Sequence, residues 1–223
     1  MSCSTKKAVI WDMDGVIADT GIYHFRSWQQ AFSKQGKDFT EENFRHVFGQ
    51  RNDTIVRKTM GRPLTQEEVD AVALDKEEIF RQSVKHNLKP FPGVIDLLKI
   101  LKENGIASAI ASSAPMENIR LILGGLGIQG YFEAFVYGRE VTEGKPSPQG
   151  YLLAAQKLGV EPQNCIVIED AVAGVAGARR AGMHCIAVTN THAAESLAEA
   201  DLVVDSLEKI GLRDLNRLFG IES

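Results

Sequence analysis

The 223-residue sequence has few cysteines, no long apolar run and no block of basic residues. Its three cysteines, Cys3, Cys165 and Cys185, are scattered without C-x-x-C spacing. This pattern argues against a disulfide framework or a zinc site and indicates a reducing environment. The sequence contains no run of about 18 apolar residues and no apolar signal region. We therefore expect a soluble cytoplasmic protein with no membrane partner.

The charge balance is mildly acidic, with a formal net charge of −4. Lys and Arg form no cluster, so a nucleic-acid partner is not expected. The small anionic surplus does not exclude a phosphorylated small molecule, because the charge of the local site decides its binding. We expect a monomer or a weak homodimer.

Short apolar segments alternate with helical patterns over much of the chain. The run Ala8–Trp11 predicts a buried strand, and further strands are predicted at 106–112, 134–138, 165–170, 184–188 and 201–206. The helices between them include 147–158, with Ser147 as N-cap, and a final helix at 207–218. This alternation predicts an α/β fold with a Rossmann-like, mostly parallel sheet covered on both faces.

Residues 20–88 interrupt the alternation. Trp28 and Phe32 recur at helical spacing, Thr65 begins a capping box with Glu68, and no strand pattern is present. We predict three or four helices that form an all-helical cap domain, inserted after the first strand of an α/β core domain. The predicted domains are 20–88 for the cap, and 1–19 plus 89–223 for the core.

Polar residues stand at the ends of the predicted strands. Asp12 and Asp14 follow the first strand, and because residues i and i+2 share a face, both are able to face one site. The others are Ser112 and Ser113 after the second strand, Lys145 after the third, and Glu169 and Asp170 after the fourth. The carboxyl ends of parallel strands meet at one edge, so we expect these side chains to lie close together.

This combination of residues is suited to phosphoryl transfer. Clustered carboxylates favour a hard cation, and Mg²⁺ prefers a few carboxylates together with a substrate phosphate. A carboxylate also attacks phosphorus to form an aspartyl-phosphate. Lys145 and Ser112 would then bind the phosphoryl oxygens, and an acid two residues from the nucleophile would protonate the leaving oxygen.

Four segments resemble, in order, the motifs of the haloacid dehalogenase-like superfamily: DMDGVIADT, ASSA, GKPSP and IEDAVAGVAGARRAG. The helical insertion is similar to the cap of the subgroup that contains beta-phosphoglucomutase and phosphoglycolate phosphatase. The resemblance implies that Asp12 is the nucleophile and Asp14 the general acid/base. It also implies that Ser112 and Lys145 bind the phosphoryl group. The adjacent Ser113 is a further candidate for this task.

The same resemblance implies a Mg²⁺ site. Its ligands would be the Asp12 carboxylate, the backbone carbonyl of Asp14 and the Asp170 carboxylate. Glu169 would be a further ligand or would lie just outside the ligand shell.

Three residues of the cap are candidates for substrate contacts. His24 matches the cap histidine of beta-phosphoglucomutase, although a helix histidine with an ordinary hydrogen bond remains an alternative. Lys76 falls where that enzyme has a cap lysine, although a solvated helix face would also explain it. Arg51, in FGQRND, is a candidate for binding a distal phosphate or carboxylate, with a Gly-to-Arg spacing one residue shorter than in the mutase.

One departure from the mutase pattern favours hydrolysis. Where the mutase has Ser-Lys-Asn to hold a second phosphate, this chain has Ala114, Pro115 and Met116, whose side chains donate no hydrogen bond. We therefore predict a Mg²⁺-dependent phosphatase for a small phosphorylated metabolite, either a sugar phosphate or a phosphoglycolate-like compound. The alternatives are a phosphosugar mutase and a non-catalytic regulatory or binding member of the fold.

Overall fold

The computed structural model describes residues 6–85 and 87–221, so Cys3 lies outside the described residues. Six strands of the described residues form one parallel sheet in the order β3-β2-β1-β4-β5-β6. The strands are β1 Ala8–Trp11, β2 Ala107–Ala111, β3 Ala134–Val136, β4 Cys165–Glu169, β5 His184–Val188 and β6 Leu202–Val204. The predicted α/β fold with a parallel sheet is confirmed.

The central strand, β1, lies between β2 and β4, with Ile10 opposite Ala109 and Val167. The chain continues from β1 towards β2 and β3 on one side, and then crosses to β4, β5 and β6 on the other. The order therefore reverses at β1 and β4. A parallel sheet opens a ligand crevice outside the carboxyl ends of its strands at such a reversal.

Helices cover both faces of the sheet. Alternate β1 residues point to opposite faces, so Val9 and Trp11 pack in one buried cluster, and Ala8 and Ile10 pack in another. The first face is covered by α5 Val94–Glu103, α6 Met116–Gly125 and α9 Leu212–Leu218. The second is covered by α7 Gln149–Leu158 and α8 Val172–Arg180.

The described residues between β1 and α5 form four helices, in agreement with the predicted three or four: α1 Gly21–Ser33, α2 Glu41–Val47, α3 Asn52–Met60 and α4 Gln66–Val84. They enclose an apolar cluster of their own around Trp28, Phe32 and Phe39. The capping box of Thr65 and Glu68 is present at the start of α4. Among the described residues, no helix combines the length and the apolar character that crossing a bilayer requires.

Two predicted helices differ from the structure, one in its first residue and one in its continuity. α7 begins at Gln149 rather than Ser147, whose Oγ nevertheless accepts a hydrogen bond from the Gln149 amide at 3.4 Å. The final predicted helix is split, because Ile210 and Gly211 are extended between a short 3₁₀ turn at Leu207–Lys209 and α9. Asp214 accepts a 3.0 Å hydrogen bond from the Gly211 amide and caps the second piece.

Candidate active site

Asp12 and Asp14 lie at the carboxyl end of the central strand. The Asp12 amide donates to Ile168 O at 3.0 Å and so continues the pairing of β1 with β4, and its side chain is buried. Gly15, with a φ of +88°, then turns the chain back so that its amide reaches Ala18 O at 3.1 Å. A Cβ at Gly15 would overlap the Asp170 carboxylate, so glycine is required both by conformation and by space.

Lys145 contacts both Asp12 and a third acid, Glu169. Its Nζ contacts both Asp12 Oδ1 and Glu169 Oε1 in a buried ion-paired cluster. Burial acts to lower the pKa of Lys145, but the charges of Asp12 and Glu169 hold it well above its usual value. Burial raises the pKa of Asp12 to about 7, against the opposing effect of Lys145. The ammonium is therefore fixed beside a carboxylate whose negative charge is poorly solvated.

Glu169 has both carboxylate oxygens hydrogen-bonded. Oε1 accepts from Lys145 and from the Tyr151 hydroxyl, the latter at 2.6 Å. Oε2 accepts from the amides of Asp170 and Ala171, at 3.0 and 3.1 Å. The residue is fully buried, and a Cβ at Gly174 would overlap its carboxylate. This arrangement fixes the position of Lys145.

Asp170 is held by the loop after β5. Thr191 Oγ1 donates to its Oδ2, and His192 Nδ1 lies 3.0 Å from its backbone oxygen. Burial, with the nearby Glu169 and Asp12 carboxylates, raises the pKa of Asp170 well above its usual value. The carboxyl group thus lies in a setting where negative charge is strongly disfavoured unless a cation compensates it.

Asp14 is connected to the helical unit. Its Oδ1 accepts from Thr20 Oγ1 at 2.6 Å and lies 3.0 Å from His24 Nε2. Burial acts to raise the pKa of Asp14, but its contacts with His24 and Thr20 outweigh burial and hold the pKa below its usual value. On the other side of the His24 ring, Nδ1 lies 2.9 Å from Nζ of the buried Lys76. The two predicted cap candidates therefore form one chain of contacts that ends on Asp14.

The two predicted serines face different partners. Ser112 is buried at the end of β2, and its Oγ accepts from the Ala114 amide at 3.1 Å. Its own O–H proton is therefore available to another acceptor. Ser113 instead donates its hydroxyl to Gly49 O, in the helical unit, at 3.0 Å.

Arg51 makes contacts within the protein. Its guanidinium donates to the carbonyls of Gly138, at 2.8 Å, and Val141 in the loop after β3. It also pairs with both oxygens of Asp53, at 3.2 and 3.1 Å. These contacts join the helical unit to the α/β unit.

Most of the predicted core residues share one cleft. A cavity of about 170 Å³ is lined by five of them, Asp12, Asp14, Lys145, Glu169 and Asp170, and by His46, Phe48, Gly49 and Gln50 from the helical unit. A second cavity, of about 40 Å³, adjoins it at Asp14 and reaches His24, Lys76 and Ser113. Ser112 lines a third small space with Lys145. The site therefore lies between the two units of the fold.

The donor set fits a hard divalent cation. Within the described residues, no group of three or more His, Cys, Asp or Glu side chains is placed to hold a metal ion on its own. Mg²⁺ does not need one, since it keeps several waters and takes one or two protein carboxylates. The buried carboxylates of Asp12 and Asp170, which repel each other, are donors of the kind that Mg²⁺ takes.

Five residues that contact the candidate site were not predicted from the sequence: Thr20, Glu77, Tyr151, Asn190 and Thr191. Thr20 lies within the first motif, and Tyr151 lies just after the third, so proximity to the motifs was a usable signal. Glu77 gave none, because an acid next to a lysine in a helix is usually solvated. Asn190, which donates to Gly15 O at 2.8 Å, comes from a distant loop that only the fold brings near.

Comparison with known proteins gives consistent matches. The haloacid dehalogenase-like hydrolase family model matches residues 6–182. Hexitol phosphatase A of Escherichia coli is 35% identical over 92% of this chain and 93% of its own, and a phosphorylated carbohydrates phosphatase of Thermotoga maritima is 32% identical over 88% and 92%. A crystal structure of beta-phosphoglucomutase from Clostridium difficile superposes with a TM-score of 0.88 at 28% identity, covering 97% and 98% of the two chains.

Proposed function

The chain belongs to the haloacid dehalogenase-like hydrolase family, and on that basis we propose that it is a Mg²⁺-dependent phosphatase that hydrolyses a small phosphorylated metabolite through a phosphorylated Asp12. The family membership that the sequence motifs predicted is confirmed. The observation that carries the proposal is the ion-paired cluster in which Lys145 contacts both Asp12 and Glu169. Asp14 lies two residues after Asp12 in the sequence.

Asp12 is the nucleophile in this proposal. Lys145 contacts Oδ1, which leaves Oδ2 to attack the phosphorus atom. Burial removes water from the carboxylate and from the phosphoryl group that it receives. As the bond to Asp12 forms, the bond between phosphorus and the alcohol oxygen of the substrate breaks.

Asp14 transfers the protons. Thr20 and His24 both contact its Oδ1, so Oδ2 exchanges a proton with the reactants. Asp14 has to enter the first step protonated on Oδ2, although its contacts with Thr20 and His24 favour the carboxylate before the substrate binds. It gives that proton to the leaving alcohol and then takes one from the water that attacks the phosphorylated Asp12.

The phosphoryl oxygens are bound by Lys145 and by the hydroxyl of Ser112, whose proton is available. Ser113 would take part only after releasing Gly49. Asp12, the Asp14 carbonyl and Asp170 would hold Mg²⁺, which would supply positive charge to the phosphoryl oxygens. Because its oxygens already accept hydrogen bonds from Lys145, Tyr151 and two amides, we assign Glu169 to positioning Lys145 rather than to direct metal binding.

We assign residues 20–88 to a cap that closes over the core of residues 1–19 and 89–223. The two connections between these units lie side by side, with the Phe91 amide donating to Ile17 O at 2.9 Å. Closure would shield the phosphorylated Asp12 and select the leaving group. The names of the two phosphatase relatives support a sugar phosphate as the substrate, ahead of a phosphoglycolate-like compound.

A phosphosugar mutase is the second candidate. The His24–Lys76 contact favours it, together with the similarity to beta-phosphoglucomutase. A mutase has to grip two phosphates in turn, and Ala114, Pro115 and Met116 offer no side-chain donor for the second. Phosphorus NMR of beta-glucose 1-phosphate with catalytic bisphosphate separates the two, since a mutase yields the 6-phosphate and a phosphatase yields inorganic phosphate.

The proposal is tested with a panel of sugar phosphates, phosphoglycolate and p-nitrophenyl phosphate, assayed with Mg²⁺. Asp12→Asn should abolish turnover of every active ester, because the amide is not a nucleophile. Asp19→Asn is the matched control, since Asp19 lies in the same segment and is exposed. Unchanged turnover in Asp12→Asn would exclude this mechanism, and an inactive wild-type protein would favour a non-catalytic role.

A further inference from the structure

Two charged residues that are consecutive in α4 are both buried. The side chains of Lys76 and Glu77 are 2% and 3% exposed and form an ion pair at 2.7 Å. Burying an ion pair is costly, and replacing it by apolar residues is often neutral or stabilising. The pair therefore calls for an explanation beyond stability.

The hydrogen bonds of Lys76 determine the state of the His24 ring. An ammonium group is a donor only, so His24 Nδ1 has to accept its hydrogen bond. The ring proton is then on Nε2, which donates to Asp14 Oδ1. The ring also stacks on Phe80, with centroids 3.9 Å apart, so it has little freedom to turn.

Glu77 in turn holds Lys76. Its Oε1 accepts from Lys76, and also from Asn52 on α3 at 2.8 Å. Without this carboxylate, the ammonium would keep the His24 nitrogen and the faces of Trp28 and Phe80, both 5.1 Å away, as its neighbours. The ammonium would then have no charged partner to hold it against His24 Nδ1.

The second oxygen of Glu77 reaches the α/β unit. Oε2 accepts from Asn118 Nδ2 on α6 at 2.5 Å, and Asn118 is fully buried. Asn118 Oδ1 accepts in return from Arg81 of α4 at 3.3 Å. The chain of contacts from Asn118 to Asp14 is therefore complete only when α4 lies against α6.

We propose that Glu77 is a positioning residue that ties the orientation of His24, and through it Asp14, to the docking of the helical unit on the core. The inference rests on the proposed phosphatase function. Glu77 acts through Lys76, and its contact with Asn118 forms only when the cap is closed. Proton transfer by Asp14 is thus favoured in the closed enzyme, where the leaving group is shielded from water.

The test compares substrates with poor and good leaving groups. An alkyl phosphate requires a proton from Asp14 in the first step, whereas p-nitrophenyl phosphate releases a stable anion without one. Glu77→Gln should lower kcat/KM for the alkyl phosphate by about tenfold, part of the usual contribution of a general acid, and change the p-nitrophenyl phosphate value little. Asn118→Leu should give the same pattern more weakly, and Glu78→Gln, an exposed neighbour in α4, should behave as wild type.

Equal losses on both substrates, or no loss, would overturn the inference, because a general structural defect does not depend on the leaving group. A second readout does not need activity. ¹⁵N NMR of the full chain should show the His24 proton on Nε2 in wild type and a tautomer mixture in Glu77→Gln. An unchanged His24 spectrum would also overturn the inference, whereas an inactive wild type with the expected spectra would contradict only the phosphatase assignment.

Discussion

The hydroxyl of Tyr151 donates a 2.6 Å hydrogen bond to Oε1 of Glu169, the same carboxylate oxygen that Lys145 contacts. The Tyr151 ring also lies beneath Lys145, whose Nζ is 5.4 Å from the ring centroid. A residue in the first turn of α7 therefore contacts both members of the ion pair that faces Asp12.

Tyr151→Phe should reduce both stability and activity. Removing a buried hydrogen bond to a charged group costs about 1.5–3 kcal/mol of unfolding free energy. We expect kcat to fall more than KM rises, because Lys145 loses its fixed position while the leaving-group pocket is unchanged. Urea denaturation and steady-state kinetics measure the two effects, with Tyr131→Phe as a control distant from the site. Full activity in Tyr151→Phe would contradict the positioning of Lys145 through Glu169.

The stability contribution of Glu77 should depend on pH. Burial acts to raise the pKa of Glu77, but the Lys76 ammonium holds it below its ordinary value of 4.5. The folded protein thus binds this proton more weakly than the unfolded chain, so the contribution is complete above about pH 4.5 and is lost as the pH falls through the folded-state pKa.

The difference in unfolding free energy between wild type and Glu77→Gln should therefore be constant from pH 7 to pH 5 and shrink below that. Urea denaturation at a series of pH values measures it. Glu78→Gln should show no such pH-dependent difference. A wild-type advantage that stays constant down to pH 3.5 would be inconsistent with a buried ionised Glu77.

The sequence predicted the fold well because its signals are local and repeated. Apolar runs ending in polar residues located the strands, and a parallel sheet necessarily brings their carboxyl ends together. The final helix was mispredicted for a local reason as well. The apolar spacing continues across Gly211, but the backbone is extended at Ile210 and Gly211, which breaks one predicted helix into a 3₁₀ turn and α9.

The site was predictable only where a motif carried it. Asp12, Asp14, Lys145 and Asp170 converge as predicted, because each follows a strand. The contact between Glu77 and Asn118 joins residues 41 positions apart in two different units, and no periodicity encodes it. Arg51 illustrates the same limit, since the sequence did not indicate its contacts with two carbonyls and Asp53.

Magnesium should stabilise the fold through Asp170. Burial and the neighbouring carboxylates raise the pKa of Asp170 well above its usual value, so a cation bound at this position would relieve the repulsion between these groups. At a hundred times its Kd, Mg²⁺ should stabilise the wild type by about 2.7 kcal/mol.

The measurement is a thermal melt in MgCl₂ against NaCl of equal ionic strength. The shift should nearly vanish in Asp170→Asn and persist in Asp205→Asn, which alters an exposed acid. Treatment with EDTA should abolish turnover, and added Mg²⁺ should restore it. An equal Mg²⁺ shift in Asp170→Asn would locate the cation elsewhere.

Arg51 offers a test between a structural clamp and a substrate ligand. Arg51→Lys keeps the charge but loses the planar fork that reaches Gly138, Val141 and Asp53 together. If Arg51 clamps the cap, the loss of about 1 kcal/mol of docking should lower kcat/KM about fivefold for every ester, including p-nitrophenyl phosphate. If it binds a second anionic group, only substrates such as phosphoglycolate should be affected.

Arg57→Lys is the control, because the bonds of Arg57 to Leu64 O and Gln66 remain within the helical unit. Because the Arg51 guanidinium contacts both the helical unit and the α/β unit, we expect kcat/KM to fall equally for all esters. A loss confined to doubly anionic substrates would instead show that Arg51 binds the substrate.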